Sequence, residues 1–201
     1  MNTSLRKNAK YRFIRSALAK KYDKAALADI LRRAESHYAA LAAQCADATP
    51  GEQFHLNNTI LPTAAIYKAL LETDSENALA VTHEALISLC QTGNRAMQVI
   101  LRIPGMKKLF MGMLPKMVLK MFGRDSGFDY TNFSADKTHL AMDTTVCPYC
   151  KYARQLDVEA LMPTFCESDF ATYGGLPGIR FERTTTLGTG GDKCDFRFTR
   201  E

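Results

Sequence analysis

The chain has 201 residues, 46% of them hydrophobic, and a formal net charge of +5 at pH 7. This length suits one domain with a sizeable core, and no apolar run reaches the roughly 18 residues that a membrane span needs. The basic excess lies mostly in residues 1–33 and 107–124. That is too diffuse for a nucleic-acid footprint, whereas a mildly basic surface favours anionic small molecules.

Residues 1–24 carry Lys and Arg with no acid before Asp23. They lack the compact apolar stretch and cleavage site of a secretory signal, so a solvated first helix is expected, with an amphipathic transit peptide as the alternative. The expected location is the cytoplasm. Six cysteines in such a chain read as reduced thiols, metal ligands or catalytic groups rather than as a disulfide framework.

Asp23 can cap a helix over residues 23–46, with Leu27, Leu31, Ala34, Tyr38, Leu41 and Cys45 as its apolar stripe. Thr49-Pro50-Gly-Glu52 has the form of a capping box with proline at the first helical position. The helix it starts should run to about residue 71. Pro62 interrupts it, because proline offers no N–H to the carbonyl of Asn58. His55, Asn57, Asn58 and Thr59 cluster at the expected kink and either face a cavity or satisfy the broken ladder. Residues 75–91 form the next predicted helix, with Leu79, Leu86 and Leu89 inward and Gly93 as its C-cap. A shorter helix reaches residue 103, where Pro104-Gly105 breaks it.

Residues 106–122 have the cleanest helical period. Met106, Leu109, Phe110, Met113, Leu114, Met117, Val118, Met121 and Phe122 share one face, with Lys107, Lys108, Lys116 and Lys120 around the other. A basic amphipathic helix of this kind either lies on a membrane or partner, or packs as core, and core is the commoner outcome. Pro115 should bend it.

After Gly127 the pattern becomes strand-like. Residues 128–134 and 138–145 read as one hairpin, and 179–187 with 193–199 as a second. Between them, residues 147–156 and 163–173 look helical. The expected fold is α+β in a single domain. A mainly helical part (1–124) packs on an antiparallel sheet of about four strands, in the part (125–201) that carries the cysteine motifs.

Four cysteines fall in this second part: Cys147, Cys150, Cys166 and Cys194. Cys147-Pro-Tyr-Cys150 has zinc spacing, but Cys166 and Cys194 do not form a second such pair. A cysteine-ligated metal site, closed or open, is one reading of these thiols. A thioredoxin-like role would need the pair after the first strand of a βαβ unit, and here a helical half precedes it.

Cys147-Pro-Tyr, Phe165-Cys166-Glu-Ser-Asp169, Arg180-Phe-Glu-Arg183-Thr-Thr-Thr-Leu187-Gly and Cys194-Asp-Phe-Arg-Phe198 occur in that order. Together with His55-Leu, Ile60-Leu-Pro62 and the run from Ala65 to Glu72, they resemble the L-2-amino-thiazoline-4-carboxylic acid hydrolase family over about residues 53–200. The resemblance implies a hydrolase acting on carbon–nitrogen bonds of a cyclic amidine, giving N-carbamoyl-L-cysteine on a route to cysteine. Such chemistry needs a carboxylate for the amidine cation, an arginine for the substrate carboxylate, and a thiolate or activated water as attacking group.

Cys166 is the first candidate nucleophile and Cys147 the second, the latter because a helix start favours a thiolate. Asp169 stands one helical turn beyond Cys166, and acids so close raise a thiol's pKa unless a cation such as His55 or His139 offsets them. Asn58, Arg183, Arg197 and Cys194 are candidate substrate-binding residues, the two arginines as the carboxylate clamp. The expected partner is a small-molecule substrate, with no nucleic acid and no membrane; a homo-oligomer is compatible with the sequence. No cofactor is expected, a metal being the rival reading. The alternative functions are a non-catalytic small-molecule-binding or sensing domain on the same fold, and a cysteine-ligated metalloprotein.

Overall fold

Asp23 starts the first long helix as its composition requires: the carboxylate accepts the N–H groups of Ala25 and Ala26, both at 2.9 Å. The computed structural model describes residues 3–201; the first two positions of the basic N-terminal segment lie outside them. A short helix α1 (Tyr11–Leu18) precedes α2 (Lys24–Gln44), whose predicted stripe is buried throughout. The capping box forms, with Glu52 N–H donating to Thr49 Oγ1 at 3.2 Å and Thr49 N–H to Glu52 Oε2 at 3.0 Å.

The interruption before Pro62 takes a specific form. Helix α3 (Pro50–His55) passes into a π turn (Leu56–Ile60) before α4 (Leu61–Thr73). A π turn widens the ladder by one residue, which absorbs the N–H that proline lacks. Asn58 Nδ2 donates to the Phe54 carbonyl at 2.8 Å. Asn58 therefore serves the broken ladder, outside the cavity described below.

Two expectations need correction. Helix α5 (Ala78–Leu101) is continuous through Gly93. An exposed mid-helix glycine costs about 1 kcal/mol relative to alanine. Burial of Leu86, Asn94 and Leu101 on one face outweighs that cost, while Leu79 points to solvent. The face of α6 (Met106–Met121) is also rotated: Met111, Leu114 and Val118 are buried, whereas Leu109 and Met113 are 50% and 58% exposed.

The sheet comprises β1 (Asp129–Ala135), β2 (His139–Val146), β3 (Ile179–Glu182) and β4 (Cys194–Arg200), all antiparallel, in the order β1-β2-β4-β3. Helices α7 (Pro148–Gln155) and α8 (Met162–Tyr173) lie between the two hairpins in the chain. Strand β3 stops earlier than predicted, because the Asp195 carboxylate accepts the N–H groups of Thr184 and Thr185, both at 2.8 Å, and turns the chain out of the ladder. The inner sheet face, including Leu140, Met142, Phe181 and Phe198, packs with Met111, Leu114 and Val118 of α6. A second apolar cluster joins α2 and α4 to Tyr152, Leu156 and Phe165. The result is the α+β arrangement expected, with helices packed on one sheet.

Candidate active site

Between the inner sheet face and helices α6, α7 and α8 lies a cavity of about 220 Å³. Leu140, Met142, Phe196 and Phe198 wall it from the sheet, and Leu114, Met117, Val118 and Phe122 from α6. Its polar groups come mainly from α7 and α8. Cys166, Asp169 and Tyr173 recur on one face of α8, and Cys147 and Cys150 stand at the start of α7. Cys194 enters from β4, where it alternates inward with Phe196 and Phe198.

Asp169 and Arg183 form the charged pair of the cavity. Arg183, its side chain only 4% exposed, donates from Nη1 to Asp169 Oδ2 at 2.5 Å and from Nη2 to the Cys166 carbonyl at 2.8 Å. Its guanidinium lies 5.0 Å from the Phe170 ring centre and 5.6 Å from that of Phe196. Arg183 Nε is the one buried side-chain nitrogen or oxygen among the described residues without a hydrogen-bond partner. Burial pushes the Asp169 carboxyl up to about 6, although Arg183 pulls the other way.

The thiols differ in character. Burial raises Cys166 above the ordinary thiol range, with a Thr186 hydrogen bond and Arg183 in partial opposition, and raises Cys194 to about 11. Cys147 donates to Cys150, which holds the Cys150 thiol down at about 7, assisted by the charge of Arg154, while Cys147 itself is raised. Both sit in the first turn of α7, where the helix N-terminus favours a thiolate. Gly188 closes the cavity over Cys166: a Cβ there would stand 2.5 Å from Cys166 Sγ.

The structure brings Cys147, Cys166, Cys194, Asp169 and Arg183 together around this cavity. It does not place the other candidates there. His55 is buried behind the wall, among the rings of Phe54, Phe122, Phe128 and Tyr149. Its Nε2 lies 2.6 Å from the Met121 carbonyl, which can only accept, so Nε2 carries the proton and Nδ1 accepts the Tyr149 hydroxyl at 3.2 Å. Burial lowers its pKa, so it is neutral rather than the cationic thiol partner expected. His139, the other expected cation, is exposed on β2 beside Asp136 and Thr138. Arg197 lies on the outer sheet face, donating to Asp143 Oδ1 at 2.7 Å, because strand alternation turns it away from Phe196 and Phe198. Asp143, 1% exposed, also accepts from Asn132 and Lys193, and these bonds hold its carboxyl well below the usual range.

Of the polar cluster at the kink, Thr59 faces the cavity; sequence reasoning missed Cys90, Cys150 and Tyr149 as cavity residues. Cys90 was legible in principle, since it stands four residues from both Leu86 and Asn94 on the buried face of α5. Which member of the kink cluster faces inward was not legible, since the π turn aims Thr59 at Tyr149, to whose hydroxyl it hydrogen-bonds. Among the described residues, no three His, Cys, Asp or Glu side chains are grouped so as to hold a metal ion.

No helix of the described residues is long and apolar enough to cross a membrane. A family model described as L-2-amino-thiazoline-4-carboxylic acid hydrolase matches residues 53–198, a span that includes every polar cavity residue named above. No curated protein and no solved structure matches the chain.

Proposed function

Since the chain belongs to the L-2-amino-thiazoline-4-carboxylic acid hydrolase family, we propose that its cavity opens the ring of a 2-amino-thiazoline-4-carboxylate by hydrolysis. The observation that carries this reading is Arg183 Nε, a buried donor without a partner, in a cavity that also holds a carboxylate and several thiols. A substrate carboxylate satisfies that donor, and Asp169 beside it faces the amidine cation. Unpaired buried donors are costly, so filling this one favours binding of an anion over a neutral analogue.

Stoichiometry locates the bond that breaks. N-carbamoyl-L-cysteine keeps both nitrogens on the former amidine carbon, so that carbon loses its ring sulfur and gains the oxygen of water. The cleaved bond is carbon–sulfur, not the carbon–nitrogen bond first expected. The Cys147–Cys150 pair supplies the nucleophile, with Cys150 carrying the thiolate because Cys147 donates to it in the first turn of α7 and holds it below the ordinary thiol range. The Cys150 sulfur bonds to the amidine carbon of the substrate cation, the ring carbon–sulfur bond breaks, and the released sulfur takes the amidinium proton, leaving a neutral isothiourea on Cys150. Water then attacks the isothiourea carbon while the Asp169 carboxylate takes one of its protons, the Cys150 thiolate leaves to give the urea, and Asp169 returns its proton to solvent. Tyr149, whose pKa burial raises, stays a phenol held by Thr59 and His55. His55 thus positions this wall rather than touching substrate.

The test is incubation with the thiazoline acid, following free thiol and N-carbamoyl-L-cysteine by mass spectrometry. Turnover is expected in the parent and lost in Cys150→Ser, with KM raised in Arg183→Lys. Turnover by Cys150→Ser at the parent rate removes the covalent step, and no product from the parent removes the hydrolase reading. The aromatic walls Phe122, Phe128, Phe165, Phe196 and Phe198 favour a second reading, a non-catalytic binder of an apolar small molecule. Saturable binding without product in the same incubation selects it.

A further inference from the structure

The corner where α5 turns into α6 is unlike the rest of the surface. Val99, Ile100 and Ile103 at the end of α5, and Leu109, Met113 and Leu119 on the outer face of α6, are all 48% or more exposed. Between Glu84 and Arg124, which pairs with Asp129, the sequence contains no acid, yet it carries Arg95, Arg102, Lys107, Lys108, Lys116 and Lys120. None of these six has an ion-pair partner among the described residues. At the tip, Arg102, Lys107, Lys108 and Arg200 line an open groove together with Ile103. Its one acid, Glu201, lies 3.7 Å from Arg180.

We propose that this helical hairpin docks the protein on the surface of an anionic phospholipid bilayer, with the groove seating a headgroup phosphate and the aliphatic residues entering the acyl boundary. Exposed aliphatic side chains interleaved with unpaired cations suit a surface that is anionic outside and apolar beneath. A second copy of this chain suits it poorly, because a two-fold contact through this face would set like charges against each other. Nucleic acid suits it poorly as well, since the exposed apolar residues are aliphatic and offer bases nothing to stack on. The absence of a spanning segment is no obstacle, because a hairpin of this kind lies in the interface without crossing it.

The test is flotation of the full chain with phosphatidylcholine vesicles, with and without 30% phosphatidylglycerol. Binding is expected to the anionic vesicles only and to weaken with added salt. The double variant Arg102→Glu/Lys108→Glu, on exposed side chains away from the cavity, should weaken it at least twentyfold, since each basic residue near such a surface contributes roughly fivefold. Ile103→Gln/Leu109→Gln should weaken it with all charges intact. Circular dichroism of each variant confirms the fold. Equal binding to both vesicle types, no binding to either, or full binding by the charge-reversed variant overturns the proposal. So does light scattering that shows self-association through this face, abolished by the same variants. Because hydrolysis is not the readout, failure here leaves the cavity reading untouched.

Discussion

Replacing Arg183 by methionine tests the electrostatics of the cavity most directly. The side chain is 4% exposed and pairs with Asp169 at 2.5 Å, so its loss leaves a carboxylate buried without a cation. Breaking such a pair costs about 3–5 kcal/mol, whereas replacing both partners by apolar residues is often neutral. With a urea slope of about 2 kcal/mol per molar, Arg183→Met should lower the unfolding midpoint by roughly 1.5–2.5 M at pH 8, and Arg183→Met/Asp169→Leu should recover most of it. The sign with pH follows from Asp169, whose folded pKa of about 6 lies above the ordinary aspartate value of 3.8. The folded state keeps this proton where the unfolded state has released it, so the contribution is fully present below about 4 and is lost as pH rises through 6. Two units at 1.36 kcal/mol each make about 3 kcal/mol, an upper figure because the Asp169 side chain is 30% exposed. Removing Arg183 raises that pKa further, so the single variant should regain stability between pH 8 and pH 5 while the double variant does not. Urea unfolding followed by circular dichroism at both pH values measures this. A single variant that loses under 1 kcal/mol, or a double variant no better than the single, refutes the paired-charge account.

Alkylation by iodoacetamide should show a component that titrates below the ordinary thiol range and vanishes in Cys150→Ser, because Cys147 donates to that sulfur; a midpoint at or above the ordinary range contradicts the assignment. Gly188→Ala should cut turnover at least tenfold while unfolding almost normally, since its methyl would press on Cys166 Sγ; unchanged kinetics would mean that the loop yields. Arg197→Met should leave turnover within about twofold and lower stability by about 1 kcal/mol, the net worth of an ordinary hydrogen bond, as Arg197 serves Asp143 on the outer sheet face. Because its partners hold Asp143 well below the ordinary carboxylate range, it stays ionised in the folded state at pH 3, so the loss in Arg197→Met should be nearly the same at pH 7 and pH 3; a loss that disappears by pH 3, read from urea midpoints, contradicts the pairing.

Local signals carried much of the fold. Asp23 and the Thr49 capping box mark helix starts through bonds to residues two or three positions away, and both hairpins lie where alternation put them. What failed was the choice of face. Nine apolar residues on one predicted side of α6 could not reveal that Met111 packs inward and Leu109 outward, because the sheet facing the helix selects among near-equivalent stripes. Gly93 misled for the same reason, since tertiary burial on either side outweighs a weak local preference. At the site, Cys147, Cys166, Asp169, Arg183 and Cys194 were within reach of motif and strand alternation. Strand alternation puts Arg197 and Cys194 on opposite faces, and only the packed sheet shows which of the two faces is inward. The low pKa of Cys150 depends on a neighbouring thiol's proton, a relation that spacing alone does not express.

The π turn over Leu56–Ile60 makes chain length a variable in its own right. Deleting one residue there would restore an ordinary α-helix and swing everything before it by about 100° relative to α4. Thr59 would then lose its grip on the Tyr149 phenol, and His55 would leave its carbonyl. Substitution at Asn58 disturbs only a local bond to the Phe54 carbonyl, and at Asn57 one bond from the Tyr38 hydroxyl, whereas a one-codon loss would dismantle the back wall of the cavity.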